Sequence, residues 1–81
     1  MKIIISDHAE ERIKTYRLNK DLIIETIKKP DEVIKGYNKR LIAHKLLNKY
    51  VLRVVYEKHE DEIIVVTVYP VEKERYLGIK K

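Results

Sequence analysis

Residues 27–36 read Ile-Lys-Lys-Pro-Asp-Glu-Val-Ile-Lys-Gly, and the pattern of the chain changes at the proline. Pro30 cannot continue a helix, and its ring disfavours helical backbone at Lys29. Before it, apolar residues recur at helical spacing: Ile23 and Ile27 share one face, with Ile24 beside them. After it, the period becomes that of a strand. The switch predicts helices before Pro30 and an antiparallel sheet after it, an α+β domain.

Working back from Pro30, Lys28 and Lys29 suit a helix C-terminus, and Asp21 suits the start of the same helix. Asn19 is an N-cap candidate, with Leu18 and Ile23 at hydrophobic-staple spacing. Ala9, Ile13 and Tyr16 predict an earlier helix over residues 7–16. Ser6 and Asp7 are its candidate caps, and Asp7 with Glu10 has capping-box spacing. Residues 2–5 contain three isoleucines and read as a short strand.

Working forward, residues 32–36 predict an edge-like strand and Gly36-Tyr37-Asn38 a turn. Residues 40–47 are the next strand, and Asn48-Lys49 a tight turn. Residues 50–57 form a third strand, residues 58–61 a charged loop, and residues 62–69 a fourth strand that Pro70 ends. The nearly continuous apolar run of that last strand predicts burial on both faces. The tail through Glu74-Arg75-Tyr76 either adds a short strand or lies over the sheet. Strands joined by short loops pair antiparallel. The expectation is two N-terminal helices packed on a four-stranded antiparallel sheet, with a fifth strand as the alternative.

Residues 1–81 make one domain of a size that buries only about 60–65% of its unfolded surface. It lacks cysteine, which excludes disulfides and cysteine-type zinc sites and fits a reducing compartment. Ile3-Ile4-Ile5 is too short for a signal peptide or a membrane span, so the chain is expected to be cytoplasmic, with no membrane partner. Lys and Arg number 18 against 13 Asp and Glu, a net charge of +5. That balance suits an anionic partner, although Lys/Glu-rich surfaces are often simply solvated.

Arg53 is the most informative charge, because it interrupts the apolar run Val51-Leu52-Arg53-Val54-Val55. An arginine there must pair, or face a cleft or the open side of the sheet. A three-residue hairpin loop puts Arg53 opposite Thr67 and Val51 opposite Tyr69, so that Arg53, Thr67 and Tyr69 share a face. A four-residue loop separates them. His8 and Arg12, four apart, lie on one helical face beside the apolar stripe, where they are also ordinary helix-surface candidates. Together these residues suit metal-independent cleavage of RNA by its own 2′-hydroxyl. His8 would transfer a proton, Arg12 and Arg53 would hold the phosphate, and Thr67 would position one of its oxygens. Tyr69 and Tyr76 would stack on bases or shuttle a proton, with Lys45 and Arg75 as further nucleic-acid contacts. His44 reads as sheet surface or cleft margin and His59 as solvated. Neither has ligand spacing to His8, so neither a metal nor a cofactor is expected.

The order Ser6-x-His8-Ala9-x-x-Arg12, Lys29-Pro30-Asp31, Gly36-Tyr37, Leu52-Arg53-Val54-Val55-Tyr56 and Val66-Thr67-Val68-Tyr69 resembles a small domain family of unknown function. That family is grouped near the RelE/ParE toxins and the barnase–EndoU–colicin–RelE fold. The resemblance implies two helices on a four-stranded antiparallel sheet and a toxin-type ribonuclease activity. It implies RNA, free or on the ribosome, as substrate and an acidic antitoxin as partner. His8, Arg12, Arg53 and Thr67 are the equivalents it places. Two other readings stand beside it: a non-catalytic module that binds RNA or an antitoxin, and a structural domain that forms a homodimer.

Overall fold

The computed structural model describes residues 2–80, with side chains through Tyr76. The chain runs β1 (Lys2–Ile5), α1 (Asp7–Tyr16), α2 (Lys20–Lys28), β2 (Glu32–Lys35), a 3-10 turn (Tyr37–Lys39), β3 (Leu41–Leu46), β4 (Tyr50–His59), β5 (Glu62–Glu72) and α3 (Lys73–Lys80). One five-stranded sheet is ordered β1-β5-β4-β3-β2. No helix among the described residues is long and apolar enough to cross a membrane.

Local chemistry sets both helix starts. The Ser6 hydroxyl accepts from the Ala9 N–H at 3.1 Å, and the Asn19 side chain accepts from Asp21 N–H at 2.7 Å. Arg17 closes α1 in left-handed backbone at φ 54°, its N–H reaching the carbonyls of Ile13 and Lys14. Ala9 and Ile13 of α1 and Ile23 and Ile27 of α2 pack against one sheet face, on Ala43, Leu52, Val54, Ile63, Val65 and Val68. This layer is the hydrophobic core.

Three features of the element layout differ from the sequence expectation. First, the sheet is mixed. β2 to β5 form the anticipated antiparallel meander, but β1 lies parallel to β5, with Lys2 opposite Glu62 and Ile5 opposite Val65. Everything between them serves as the crossover that parallel pairing requires, and a four-residue segment carries no signal of its partner's direction. Second, a third helix, α3, follows the sheet, so the helices are not all N-terminal. Third, β5 runs through Pro70 to Glu72. Pairing with β1 ends at Val65, so beyond that point β5 has a neighbour on one side only, and a proline is tolerated where its missing N–H would face the open side.

The β4–β5 hairpin turns through two residues, Glu60 and Asp61, with Glu60 at φ 51° as such turns require. His59 therefore pairs with Glu62 and Lys58 with Ile63, shorter than either loop anticipated. The register then shifts: Tyr56 faces Val65 but Val55 faces Thr67, leaving Val66 as the extra residue of a bulge. Burial along β5 records the shift, for Ile63, Val65 and Val68 are buried while Val66 and Thr67 are both half-buried. Only one face of β5 is sealed, not both.

Ser6 ties this bulge to α1. Its hydroxyl donates to the Val66 carbonyl at 3.0 Å, and its own N–H donates to the Val65 carbonyl at 3.1 Å. Ser6→Ala loses both the cap and the side-chain bond to β5. It is expected to cost about 1–2 kcal/mol, read as a lower urea midpoint at unchanged slope. Ser6→Asp keeps the cap but cannot donate, and should recover only part of the loss.

Candidate functional site

The face of the sheet away from α1 and α2 carries a transverse polar row. Glu32 of β2 pairs with His44 of β3, His44 with Arg53 of β4, and Arg53 with Tyr69 of β5. Directly opposed residues point to the same side, so four adjacent strands contribute one side chain each. The next row along the same face is Ile34, Ile42, Val55 and Thr67.

Polar contacts connect the row, two of them hydrogen bonds from Arg53. Arg53 Nε donates to His44 Nε2 at 2.9 Å, and Arg53 Nη1 donates to the Tyr69 hydroxyl at 3.1 Å. The guanidinium carbon also lies 5.6 Å from the Tyr69 ring centroid, within cation–π range. A guanidinium has no acceptor, so the His44 nitrogen facing it must be unprotonated. The ring proton therefore sits on Nδ1, which is 3.3 Å from a Glu32 carboxylate oxygen. The guanidinium thus selects the His44 tautomer, and the Glu32 carboxylate lies on the side of the ring that carries the proton.

α3 closes one end of the row. Tyr76 is buried, packs edge-on against His44 with ring centroids 4.9 Å apart, and donates its hydroxyl to Glu32 at 2.6 Å. His44 is only 1% exposed, while Glu32, Arg53 and Tyr69 are half-buried, so solvent meets the row on both sides of His44. Beside them lies a hollow of about 360 Å³ lined by Arg53, Tyr69, Pro70, Val71, Glu72 and Arg75. Arg75 is exposed at its rim. Because the Tyr69 oxygen accepts from Arg53, its own proton is left for a second acceptor.

Arg53, Thr67 and Tyr69 share the face that the sequence reading required for them. They reach it through the bulge, with Arg53 opposite Tyr69 rather than Thr67. His8 and Arg12 belong to α1, which packs on the other face, and none of the residues lining the Arg53 hollow comes from α1. Among the described residues neither hydrogen-bonds to Arg53, Thr67 or Tyr69. Lys45 follows His44 and so points the other way, toward the end of α2. It donates to the Lys29 carbonyl at 3.2 Å and sits 3.7 Å from the Glu25 carboxylate. Tyr76 is turned inward, so its ring is not presented for stacking.

Sequence reasoning underrated His44 and passed over Glu32. The signal was present in the Asn48-Lys49 turn. A two-residue connection there, closed by Leu47 N–H to the Tyr50 carbonyl at 2.9 Å, places residue 44 opposite residue 53.

A sequence profile for one family fits residues 5–70, most of the chain. The chain belongs to DUF4258, a domain family of unknown function. No curated protein and no solved structure matches it. The DUF4258 stretch contains the whole Glu32–His44–Arg53–Tyr69 row and stops before α3. In this DUF4258 domain the segment that covers His44 is thus contributed by residues outside the family match.

The Tyr76–Glu32 bond is short and involves a charged acceptor. Tyr76→Phe should fold with the same secondary structure and lose about 1–3 kcal/mol, checked by urea unfolding with circular dichroism.

Proposed function

We propose that this domain binds single-stranded RNA across the sheet face opposite α1 and α2, with a backbone phosphate seated on Arg53. The observation that carries this reading is the immobilised guanidinium. Its Nε is committed to His44 and one Nη to Tyr69, which leaves its remaining donors at the edge of the hollow that Arg75 also lines. A fork-shaped donor held in one plane suits a phosphodiester. A net charge of +5 adds the long-range attraction that such binding uses. Affiliation with the RelE/ParE toxins, suggested by the order of short motifs in the chain, is part of the proposal and is compatible with this face as the RNA side.

The experiment is a titration of fluorescently labelled single-stranded RNA at low and moderate salt. The wild type should bind, and affinity should fall as salt rises. Arg53→Ala should weaken binding and reduce the slope of log affinity against log salt by about 1, the mark of one lost phosphate contact. Absence of binding at low salt, or an Arg53→Ala variant that binds like the wild type, ends this reading. In that event an acidic peptide partner becomes the better occupant of the face.

One observation favours a second, catalytic reading, in which the bound RNA is also cleaved without a metal. Tyr69 retains a proton beside the guanidinium. As the 2′-oxygen bonds to phosphorus and releases its proton to water, the bond to the 5′-oxygen breaks and that oxygen takes the Tyr69 proton. The products are a 2′,3′-cyclic phosphate and a 5′-hydroxyl, with Arg53 neutralising the charge that builds on phosphorus-bound oxygens. His8 and Arg12 have no part in these steps. Cleavage should persist in chelator and drop about 100-fold in Tyr69→Phe while RNA binding stays within a few-fold. Equal cleavage by both proteins removes Tyr69 from the chemistry.

A further inference from the structure

We infer that the hollow at Gly36 and Tyr37 is a nucleobase subsite, occupied by an unpaired base of the RNA strand whose phosphate sits on Arg53. This inference rests on the RNA-binding reading and adds to it a second site with a defined ligand class. The hollow has a volume of about 460 Å³ and is lined by Lys35, Gly36, Tyr37, Arg40, Ile42 and Val55. Ile42 and Val55 are cross-strand partners in the row next to the polar one, so the hollow opens on the same sheet face as Arg53. Val55 is two residues from Arg53 along β4, about 7 Å of strand. A single nucleotide spans that distance.

The chemistry of the lining fits a flat aromatic ring joined to an anionic backbone. Ile42 and Val55 supply an apolar floor. Tyr37 is 92% exposed, an arrangement that leaves both faces of a large aromatic ring in water. Lys35 and Arg40 supply cations at the wall. Arg40 is positioned by Glu57, whose carboxylate it meets at 3.1 Å. Hydrogen bonding from His59, and then from Arg40, holds the Glu57 carboxyl below the usual carboxylate range, so it remains a charged anchor.

Two further details shape the site. A Cβ at Gly36 would lie 3.2 Å from Ile42 Cδ1, so a side chain there would crowd the floor. Asn38 and Lys39 both take left-handed backbone, at φ 56° and 62°, in a loop closed by Gly36 N–H to the Arg40 carbonyl at 2.8 Å. Consecutive non-glycine residues in that region are uncommon, and the loop they form presents Tyr37 to solvent. Every base offers a π-face, so such a site tolerates sequence while requiring an unpaired strand.

The test uses a short single-stranded RNA carrying one fluorescent purine analogue, and the same RNA with an abasic residue in its place. With the intact RNA, Tyr37→Ala should lower affinity about tenfold, and the quenching of the analogue on binding should disappear. Tyr37→Phe should retain both, because stacking needs the ring and not the hydroxyl. With the abasic RNA, the wild type and Tyr37→Ala should bind alike. Tyr37 is exposed, so neither variant should disturb folding. If the intact RNA binds in an Arg53-dependent manner but Tyr37→Ala matches the wild type, the base subsite is wrong and the phosphate reading survives. If the wild type binds neither RNA, both fall together.

Discussion

The extra residue at Val66 decides what each face of the sheet carries. Side chains alternate along a strand, so a strand paired without a bulge keeps one parity throughout. Continued without interruption from the hairpin, the β4–β5 register would set Arg53 against Val68, turn Val68 toward the polar face and drive Tyr69 into the layer beneath α1 and α2. The bulge reverses the parity between Val65 and Thr67. Val68 stays in the core, and Thr67 and Tyr69 emerge beside Arg53. Ser6 bonds to the carbonyls on both sides of this step while capping α1. One serine therefore couples the start of the helical layer to the residue that sorts the two faces.

The polar row is an expensive feature for so small a domain. Burying an imidazole between a half-buried carboxylate and a half-buried guanidinium costs more than it returns unless their protons and lone pairs are matched. Here Arg53 is the hub: it donates to the His44 lone pair on one side and to the Tyr69 hydroxyl on the other, and the protonated side of the His44 ring faces the Glu32 carboxylate. Apolar residues at the same positions would extend the neighbouring Ile34–Ile42–Val55 row and stabilise the domain more simply. A network of this kind is better understood as a device for holding one charged group still than as a source of stability.

Much of this architecture was legible in the residues themselves. Pro30 marked the change from helix to strand. Ser6 and Asn19 marked the helix starts, and the Asn48-Lys49 turn contained the register that sets His44 against Arg53. The bulge was not legible, because residues 62–69 are almost uniformly apolar and an extra residue in such a run leaves no break in pattern. The direction of β1 was hidden for a related reason, since four residues rich in isoleucine suit either neighbour and either sense. α3 escaped because its sequence, Lys-Glu-Arg-Tyr-Leu-Gly-Ile-Lys, lacks a clear apolar stripe. The site followed the same division. Arg53, Thr67 and Tyr69 stood out against their surroundings, but grouping His8 and Arg12 with them required knowing which face α1 covers.

The parallel contact between β1 and β5 has a consequence for how the domain comes into being. Ile5 and Val65 are neighbours in the sheet although 60 residues separate Ser6 from the carbonyl it binds on Val66. The meander from β2 to β5 can assemble from nearest neighbours, but β1 has no strand to join until β5 is in place. During synthesis the first strand is made first and docks late, leaving three isoleucines without their native cover in the interval. Closing so long a loop is entropically slow, so this contact sets the non-local step in folding. The brevity of β1 limits the surface that the nascent chain exposes while it waits.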